Sequence, residues 1–164
     1  MDSSNRFHTF QSWWLVRTEH LVLMFTSIAL AIINLGSMNW PRFVAIFVLI
    51  DAIGYLPGAI AQRRAGIEPI AAPYHHLYNI AHSYLTAAVV VGVWSAASGS
   101  FEWAMLAFPI HLSGDRGVFG NTYKPIQLPF EPIPVDPTSL LKIQAHDYSE
   151  ETRPLSSRVW GEES

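Results

Sequence analysis

Residues 43–61 read FVAIFVLIDAIGYLPGAIA, nineteen positions in which Asp51 is the only ionisable side chain. An α-helix rises about 1.5 Å per residue and the hydrocarbon core of a bilayer is about 30 Å thick, so this stretch predicts a transmembrane helix. Residues 21–38, just before it, contain no ionisable group and predict another. Two such neighbours make an all-α membrane protein the expected fold class.

Two further apolar stretches follow along the chain. Residues 75–97 form the third, in which His82 is the only ionisable side chain beyond the opening histidine pair. Residues 101–119 form the fourth, and three ionisable side chains lie near its end: His111, Asp115 and Arg116. The third stretch is long enough to cross a bilayer, and the fourth either crosses or forms a short re-entrant segment. We therefore expect a four-span transmembrane helix bundle over residues 20–120.

The composition agrees with this class and excludes others. Charged residues make up 14% of the chain and hydrophobic residues 50%, whereas a soluble domain carries about 25% charged residues. The formal net charge of -3 lacks the basic surplus that a phosphate backbone demands, which excludes nucleic acid as a partner. The absence of cysteine excludes disulfides and thiolate metal sites.

The basic residues set the expected orientation. Most lie before the first span, between the second and third, or after the fourth: Arg6, Arg17, Arg63, Arg64, Arg116 and Lys124. Only Arg42 lies at the opposite ends of the spans. Since basic residues collect on the cytoplasmic side, this pattern predicts a multi-pass protein with both termini in the cytoplasm.

The two terminal segments differ from the apolar body. In residues 1–19, Phe10, Trp13, Trp14 and Arg17 are spaced to share one helical face, which predicts an interfacial amphipathic segment. Residues 121–164 are rich in proline and predict an extended cytoplasmic tail. We expect this tail to lie on another subunit through a set of proline and apolar side chains: Pro129, Pro132, Pro134, Leu140, Leu141 and Trp160.

The polar residues inside the spans are the candidates for function. An ionisable group in hydrocarbon costs at least about 2.5 kcal/mol on insertion scales and usually faces a partner inside the bundle. The spacing along the predicted helices allows one nitrogen and oxygen ligand set suited to Zn, Fe or Mn: Asp51, His75, His82, His111 and Asp115. Three more side chains would complete a polar core: Tyr55, Asn79 and Arg116. Two other interpretations stay open, namely a hydrogen-bonded structural core and a proton relay from Asp51 to an imidazole.

Three short motifs combine across the predicted bundle. They are Asp51-x-x-Gly54-Tyr55, Tyr78-Asn79-x-x-His82-x-Tyr84 and His111-x-x-x-Asp115-Arg116-x-x-Gly120. Over residues 20–122 this combination resembles the signature of an uncharacterised family of small bacterial integral-membrane proteins with four predicted helices. The resemblance implies a bacterial inner membrane and a shared polar site, and it supplies no activity.

Two functions follow as hypotheses. The first is an accessory or assembly subunit of a larger bacterial membrane complex, of the oxidase, membrane monooxygenase or photosynthetic type. Its partners would be other integral-membrane subunits and the lipid bilayer. The second is a metal-dependent membrane enzyme, or a metal-handling protein, with an intramembrane histidine and aspartate site.

Overall fold

The computed structural model describes residues 10–66 and 68–131, and all the regular structure of that part is helical. Six α-helices follow one another: α1 (Phe10–Ile33), α2 (Trp40–Gly54), α3 (Leu56–Ala65), α4 (Ala72–Ala81), α5 (Tyr84–Ser98) and α6 (Ala107–Gly114). Two 3-10 turns, Leu35–Ser37 and Trp103–Leu106, and one π-helical turn, Asp115–Phe119, lie between or beside them. The prediction of an all-helical chain is confirmed for these residues.

Two segments are long and apolar enough to cross a membrane. They are Ser12–Ile33 within α1 and Trp40–Ala65, which contains α2 and α3. The predicted interfacial segment, residues 1–19, is not a separate element where it is described, since α1 runs without a break from Phe10. Residues 1–9 of that segment lie outside the described part. Helix length and composition thus support the prediction that the chain is a membrane protein.

The third apolar stretch is bent rather than straight. Helices α4 and α5 meet at an angle of 54°, so together they count as one further span at most. The break lies at His82 and Ser83, where ψ changes from 22° to 131°. The hydroxyl of Ser83 then accepts a hydrogen bond from the backbone N–H of Leu85. This bond caps the N-terminus of α5. A single helix over residues 75–97 was therefore the wrong expectation.

The fourth stretch is short and changes pitch twice. It runs as a 3-10 turn, then α6, then the π-helical turn, and it ends at Gly120 with a left-handed φ of 74°. It does not meet the length of a membrane span, so the described residues hold two such spans, or three if the bent pair is one. Most of its side chains from Ala104 to Leu112 are buried, because α1 and α2 pack against it. The fourth stretch is thus the centre of the bundle.

Side-chain contacts join the helices at both ends of the bundle. At one end, the Arg17 guanidinium donates to the carbonyls of Gly117 at 3.0 Å and of Val118 at 2.6 Å. At the other end, Arg42 pairs with Glu102, which also accepts from the Trp94 indole at 3.0 Å. These two bonds hold the pKa of the Glu102 carboxyl below its ordinary value. Arg17 thus joins the start of α1 to the end of the fourth stretch, and Arg42 joins the start of α2 to the loop before the fourth stretch.

The chain does not leave the bundle after Gly120. Residues 121–131, which we name the strap, return along α3 and α4. The Asn79 side chain accepts from the Lys124 N–H at 2.7 Å and donates to the Lys124 carbonyl at 3.0 Å. The Gln62 side chain accepts from the backbone N–H of Phe130 at 3.0 Å. The first part of the tail, which we expected to lie on another subunit, is therefore bound to the chain's own helices. Residues 132–164 lie outside the described part.

Phe130 fixes the end of the strap. Its side chain is 1% exposed and packs edge-on against the rings of His75 and Tyr78. It fits because Gly58 of α3 has no side chain, and a Cβ built there would overlap the phenyl ring. Gly54 similarly admits α4, since a Cβ there would lie 2.6 Å from Cβ of Ala81. Both glycines of the Gly54 to Gly58 pair therefore serve packing inside the chain.

The two glycines with different surroundings give a stability test. Gly58→Ala should lower the melting temperature, because the new methyl group displaces Phe130 and the strap. Gly92→Ala is the matched control, since nothing in the described structure lies within 4 Å of its Cβ position. It should leave the protein as stable or up to about 1 kcal/mol more stable through helix propensity. Thermal unfolding in detergent followed by circular dichroism checks both, and equal melting temperatures would contradict the packing of Phe130 on Gly58.

Candidate functional site

Four polar side chains converge inside the bundle from three separate segments. The Nε2 atom of His82 lies 3.2 Å from Oδ1 of Asp51 and 3.4 Å from Oδ2 of Asp115. The Nε2 atom of His111 lies 3.5 Å from the same Asp51 oxygen and 3.8 Å from the same Asp115 oxygen. The two imidazole side chains are 5% and 4% exposed. The structure thus brings two buried nitrogen atoms between two carboxylates.

The bend of the third stretch positions His82. Its Nδ1 atom lies 3.1 Å from the Tyr78 carbonyl, an acceptor only, so Nδ1 carries a proton. The Tyr78 ring stacks on the imidazole at a centroid distance of 3.9 Å. The carbonyl of His82, freed by the break in the helix, accepts from the Arg116 guanidinium at 3.0 Å. The ring is therefore fixed with Nε2 facing Asp51 and Asp115.

His111 is positioned by packing and lies within ion-pair distance of Asp51 and Asp115. Its ring meets Phe47 of α2 edge-on at 4.6 Å. Neither of its nitrogen atoms has a hydrogen-bond partner among the described residues, although both are buried. A buried polar atom without a partner costs about 1–3 kcal/mol, so such an atom is a candidate position for a bound water or ion. The Nε2 atom that faces Asp51 is the one a bound cation would satisfy.

The geometry fits a metal ion. One ligand atom from each of Asp51, His82 and His111 lies within 4.8 Å of the others. For metal–ligand bonds of 2.0–2.2 Å, a tetrahedral site separates its ligands by roughly 3.3–3.6 Å. The separations of 3.2 and 3.5 Å from Asp51 to the two nitrogens are close to that spacing, and the two nitrogens lie within 4.8 Å of each other. The proton on Nδ1 of His82, donated to a backbone carbonyl, is also the usual orientation of a metal-ligating histidine.

The other candidate residues separate into two groups. Asp115 lies beside the same two imidazoles and is 19% exposed at its side chain. His75 is not in the group, because its Nε2 atom lies 3.1 Å from the Leu128 carbonyl and its ring packs on Phe130. The structure therefore does not bring His75 to the other candidate ligands, because its side chain contacts the strap. The packing of His75 on Phe130 could not be predicted from the spacing between His75 and His82.

The three predicted polar-core residues support the site instead of forming part of it. Asn79 holds the strap through Lys124. Arg116 holds the bend at His82, and its guanidinium lies 4.5 Å from the Tyr84 ring centroid. Tyr55 packs on the rim, with its ring centroid 6.1 Å from that of Phe130. Each of the three therefore orders backbone or packing around Asp51 and the two histidines.

A polar cavity of about 340 Å³ opens next to the site. Asp51, His82 and Asp115 line one part of it, and Lys124 and Glu131 of the strap line another. The Lys124 ammonium lies 4.2 Å from the Phe130 ring centroid and donates to the Phe130 carbonyl. Burial lowers the pKa of Lys124, and the nearby Glu131 carboxylate opposes that shift. Sequence reasoning missed both strap residues, since it expected residues 121–164 to extend onto another subunit.

The predicted partner-binding residues are mostly outside the described part of the chain. Pro132, Pro134, Leu140, Leu141 and Trp160 all lie in residues 132–164. Pro129 is described and partly buried, next to the buried Phe130. That segment is docked on the chain's own helices.

Comparison with known proteins adds nothing to this picture. No protein-family model, curated protein or solved structure matches the chain. The resemblance to an uncharacterised membrane family stays a prediction from three short motifs. Any function must therefore be argued from the site itself.

Arg116 gives a test of how the site is held. Arg116→Met removes the hydrogen bond to the His82 carbonyl, so we expect a loss of about 1–3 kcal/mol in the free energy of unfolding. Arg64→Met removes the same charge from an exposed position at the end of α3 and is the control. Denaturant unfolding in detergent micelles measures both. If the two variants were equally stable, the bend at His82 would not depend on Arg116.

Proposed function

We propose that this chain is an integral membrane protein that binds a divalent transition metal between Asp51, His82 and His111. The observation that carries the proposal is the buried Nε2 atom of His111, which faces Asp51 and has no hydrogen-bond partner in the described structure. A metal ion would satisfy this atom and the lone pair of His82 together. It would also neutralise the Asp51 carboxylate, whose side chain is 52% exposed beside the two buried imidazoles.

The ligand types favour particular metals. Two neutral imidazoles and one carboxylate suit Zn, Fe and Mn, which the sequence already indicated. For such a site the affinity of divalent ions rises from Mn through Fe to Zn. We therefore expect zinc to bind most tightly of the three in vitro.

The number of ligands favours catalysis over a structural role. Structural zinc sites are closed by four protein ligands, whereas catalytic sites use three and keep one position for water or substrate. Here three ligand atoms form the group, and Asp115 lies 3.4 and 3.8 Å from its two nitrogens without belonging to it. A polar cavity lies beside the group. A metal-dependent membrane enzyme is accordingly the function we favour.

Metal analysis of the purified protein tests the site directly. We expect about one zinc per chain after loading in detergent, and His111→Ala should weaken binding by at least about 100-fold, since even supporting residues of metal sites contribute 10–100-fold. Asp51→Ala should do the same. His75→Ala is the matched control, because that buried histidine binds the strap and not the site.

Two outcomes would contradict the proposal. One is zinc content at background in the unmodified protein, and the other is equal affinity in His111→Ala and His75→Ala. Circular dichroism of each variant identifies any loss of fold, and His111→Gln replaces His111→Ala where the alanine variant unfolds. Absence of metal would leave a structural core or a proton relay as the function of the cluster.

We also propose a four-pass arrangement in a bacterial inner membrane, with both termini in the cytoplasm. The end contacts support it, because Arg17 meets the segment of Gly117 while Arg42 meets Glu102. Of the basic residues predicted to be cytoplasmic, Arg17 and Arg116 lie at the first of these ends. The short fourth stretch would then cross the membrane, and α1 and α2 would shield it from lipid.

The cysteine-free sequence allows this topology to be tested. Single cysteines at Ser98 and Arg63, placed at the ends of α5 and α3, should react with a membrane-impermeant maleimide from opposite faces of intact vesicles. Labelling of both from one face would contradict the arrangement. Lysed vesicles provide the control, since both positions should then react fully.

The accessory-subunit hypothesis stays a prediction. Most of its expected contact residues lie in residues 132–164, and Pro129 belongs to the docked strap. Purification in a gentle detergent with and without residues 132–164 distinguishes it from the metal-binding function. Stoichiometric partners lost on truncation would support a subunit role, and a metal-loaded chain that purifies alone would contradict it.

A further inference from the structure

The cavity beside the candidate metal site is acidic. Three carboxylates line it, those of Asp51, Asp115 and Glu131, together with the cation of Lys124. That ammonium is already engaged, since it forms an ion pair with Glu131 at 3.7 Å, donates to the Phe130 carbonyl and is surrounded by three aromatic rings. Asp51 and Asp115 therefore have no lysine or arginine partner in the described part of the chain, and both lie against the two histidines.

Asp115 borders the proposed metal position without being one of its three ligands. Its Oδ2 atom lies 3.4 Å from Nε2 of His82 and 3.8 Å from Nε2 of His111. It does not belong to the group whose ligand atoms all lie within 4.8 Å of one another. The His111 side chain is 4% exposed and neither of its nitrogens has a hydrogen-bond partner in the described structure, which marks this place for a bound cation. Asp115 is thus next to whatever shares the metal with the two histidines.

The charges decide which ligands can share that position. Among the residues that line the cavity, Lys124 and Glu131 form a neutral pair, and one divalent cation would balance Asp51 and Asp115. An anionic ligand would add a negative charge beside the Asp115 carboxylate, and like charges at such distances repel. An uncharged ligand with an N–H or O–H group adds no charge and donates a hydrogen bond to the carboxylate.

We infer that Asp115 restricts the open position of the metal to uncharged ligands that carry a hydrogen-bond donor, such as alcohols and neutral amines. The inference rests on the proposed metal site and names the ligand class for it. The metal takes a lone pair of the ligand nitrogen or oxygen, and the Asp115 carboxylate accepts the hydrogen bond. The cavity volume of about 340 Å³ equals roughly ten water molecules, which leaves room for a small molecule of this kind. Asp115 is the residue that determines specificity.

The full-length protein loaded with Co²⁺ in detergent micelles provides the test, since the visible absorption of Co²⁺ reports its ligands. Pyrazole is uncharged at neutral pH, binds metals through one ring nitrogen and carries an N–H on the next. 1-Methylpyrazole has the same ring without the N–H, and azide is a small anion. Pyrazole should change the spectrum at a concentration at least about tenfold lower than either, because a hydrogen bond to a charged group is worth that factor. Azide that binds as tightly as pyrazole, or no effect of pyrazole, would overturn the inference.

Variants of Asp115 assign these preferences to the carboxylate. Asp115→Asn keeps the shape and removes the charge, so azide should bind more tightly than to the unmodified protein. Asp115→Ala removes the acceptor, so the advantage of pyrazole over 1-methylpyrazole should disappear, whereas a steric effect of the methyl group would persist and would overturn the inference. Glu68→Gln removes a charge at an exposed position outside the cavity and should change neither preference. Azide binding that is unchanged in Asp115→Asn would also overturn the inference.

Co²⁺ binding itself separates the possible failures. An unmodified protein that binds no Co²⁺ contradicts the proposed function and the inference together. Asp115→Asn should lower Co²⁺ affinity by at most about 100-fold, as a residue next to the ligands does, and Asp51→Asn should lower it further. Equal losses in the two variants would make Asp115 a ligand and overturn the inference alone, leaving the metal site in place. Circular dichroism identifies a variant that does not fold, and the comparison of the three ligands on the unmodified protein then decides.

Discussion

The hydrogen bond from Arg116 to the His82 carbonyl is the interaction on which the site depends. A helix that breaks inside a membrane frees backbone groups that lipid cannot satisfy, so a break is tolerated only where the protein supplies partners. The Arg116 guanidinium, 34 positions away, donates to the freed His82 carbonyl. The Ser83 hydroxyl accepts from a backbone N–H at the start of α5. Without the break, His82 would continue along α4 as an ordinary helical residue. With it, the imidazole is fixed between the Tyr78 carbonyl and Asp51.

Close approach of the helices is the second requirement. The pair Gly54 and Gly58 removes two side chains from one face of the second span, and the space is filled by His82 with Ala81 and by Phe130. Van der Waals packing through small residues is how helices associate in lipid, where apolar burial from water gives no driving force. Here the same ridge brings His82, a candidate ligand, and the end of the strap against one helix. The packing of the candidate site therefore depends on residues 54–58.

The sequence predicted the helical class and, except for His75, the polar side chains that meet, because both follow from strong local rules. Long runs without charge indicate a membrane, and the cost of placing Asp51 and His82 in hydrocarbon favours partners at a similar depth. The bend and the strap could not be predicted in this way. They depend on side-chain contacts with backbone groups far along the chain, such as Asn79 with Lys124 across 45 positions and Gln62 with Phe130 across 68. Proline content alone indicated an extended segment, and that reading misses where such a segment docks.

The structural-core interpretation explains His82 better than it explains His111. A doubly protonated His82 would donate to the Tyr78 carbonyl and to Asp51, so no metal is needed for that residue alone. His111 has no such arrangement, since both its nitrogens are buried without hydrogen bonds in the described structure. A leucine at position 111 would pack on Phe47 without desolvating any polar atom, and would therefore serve a purely structural role better. Histidine places Nε2 3.5 Å from Asp51 and 3.8 Å from Asp115, and a cation shared with Asp51 and His82 is a partner that these carboxylates would stabilise.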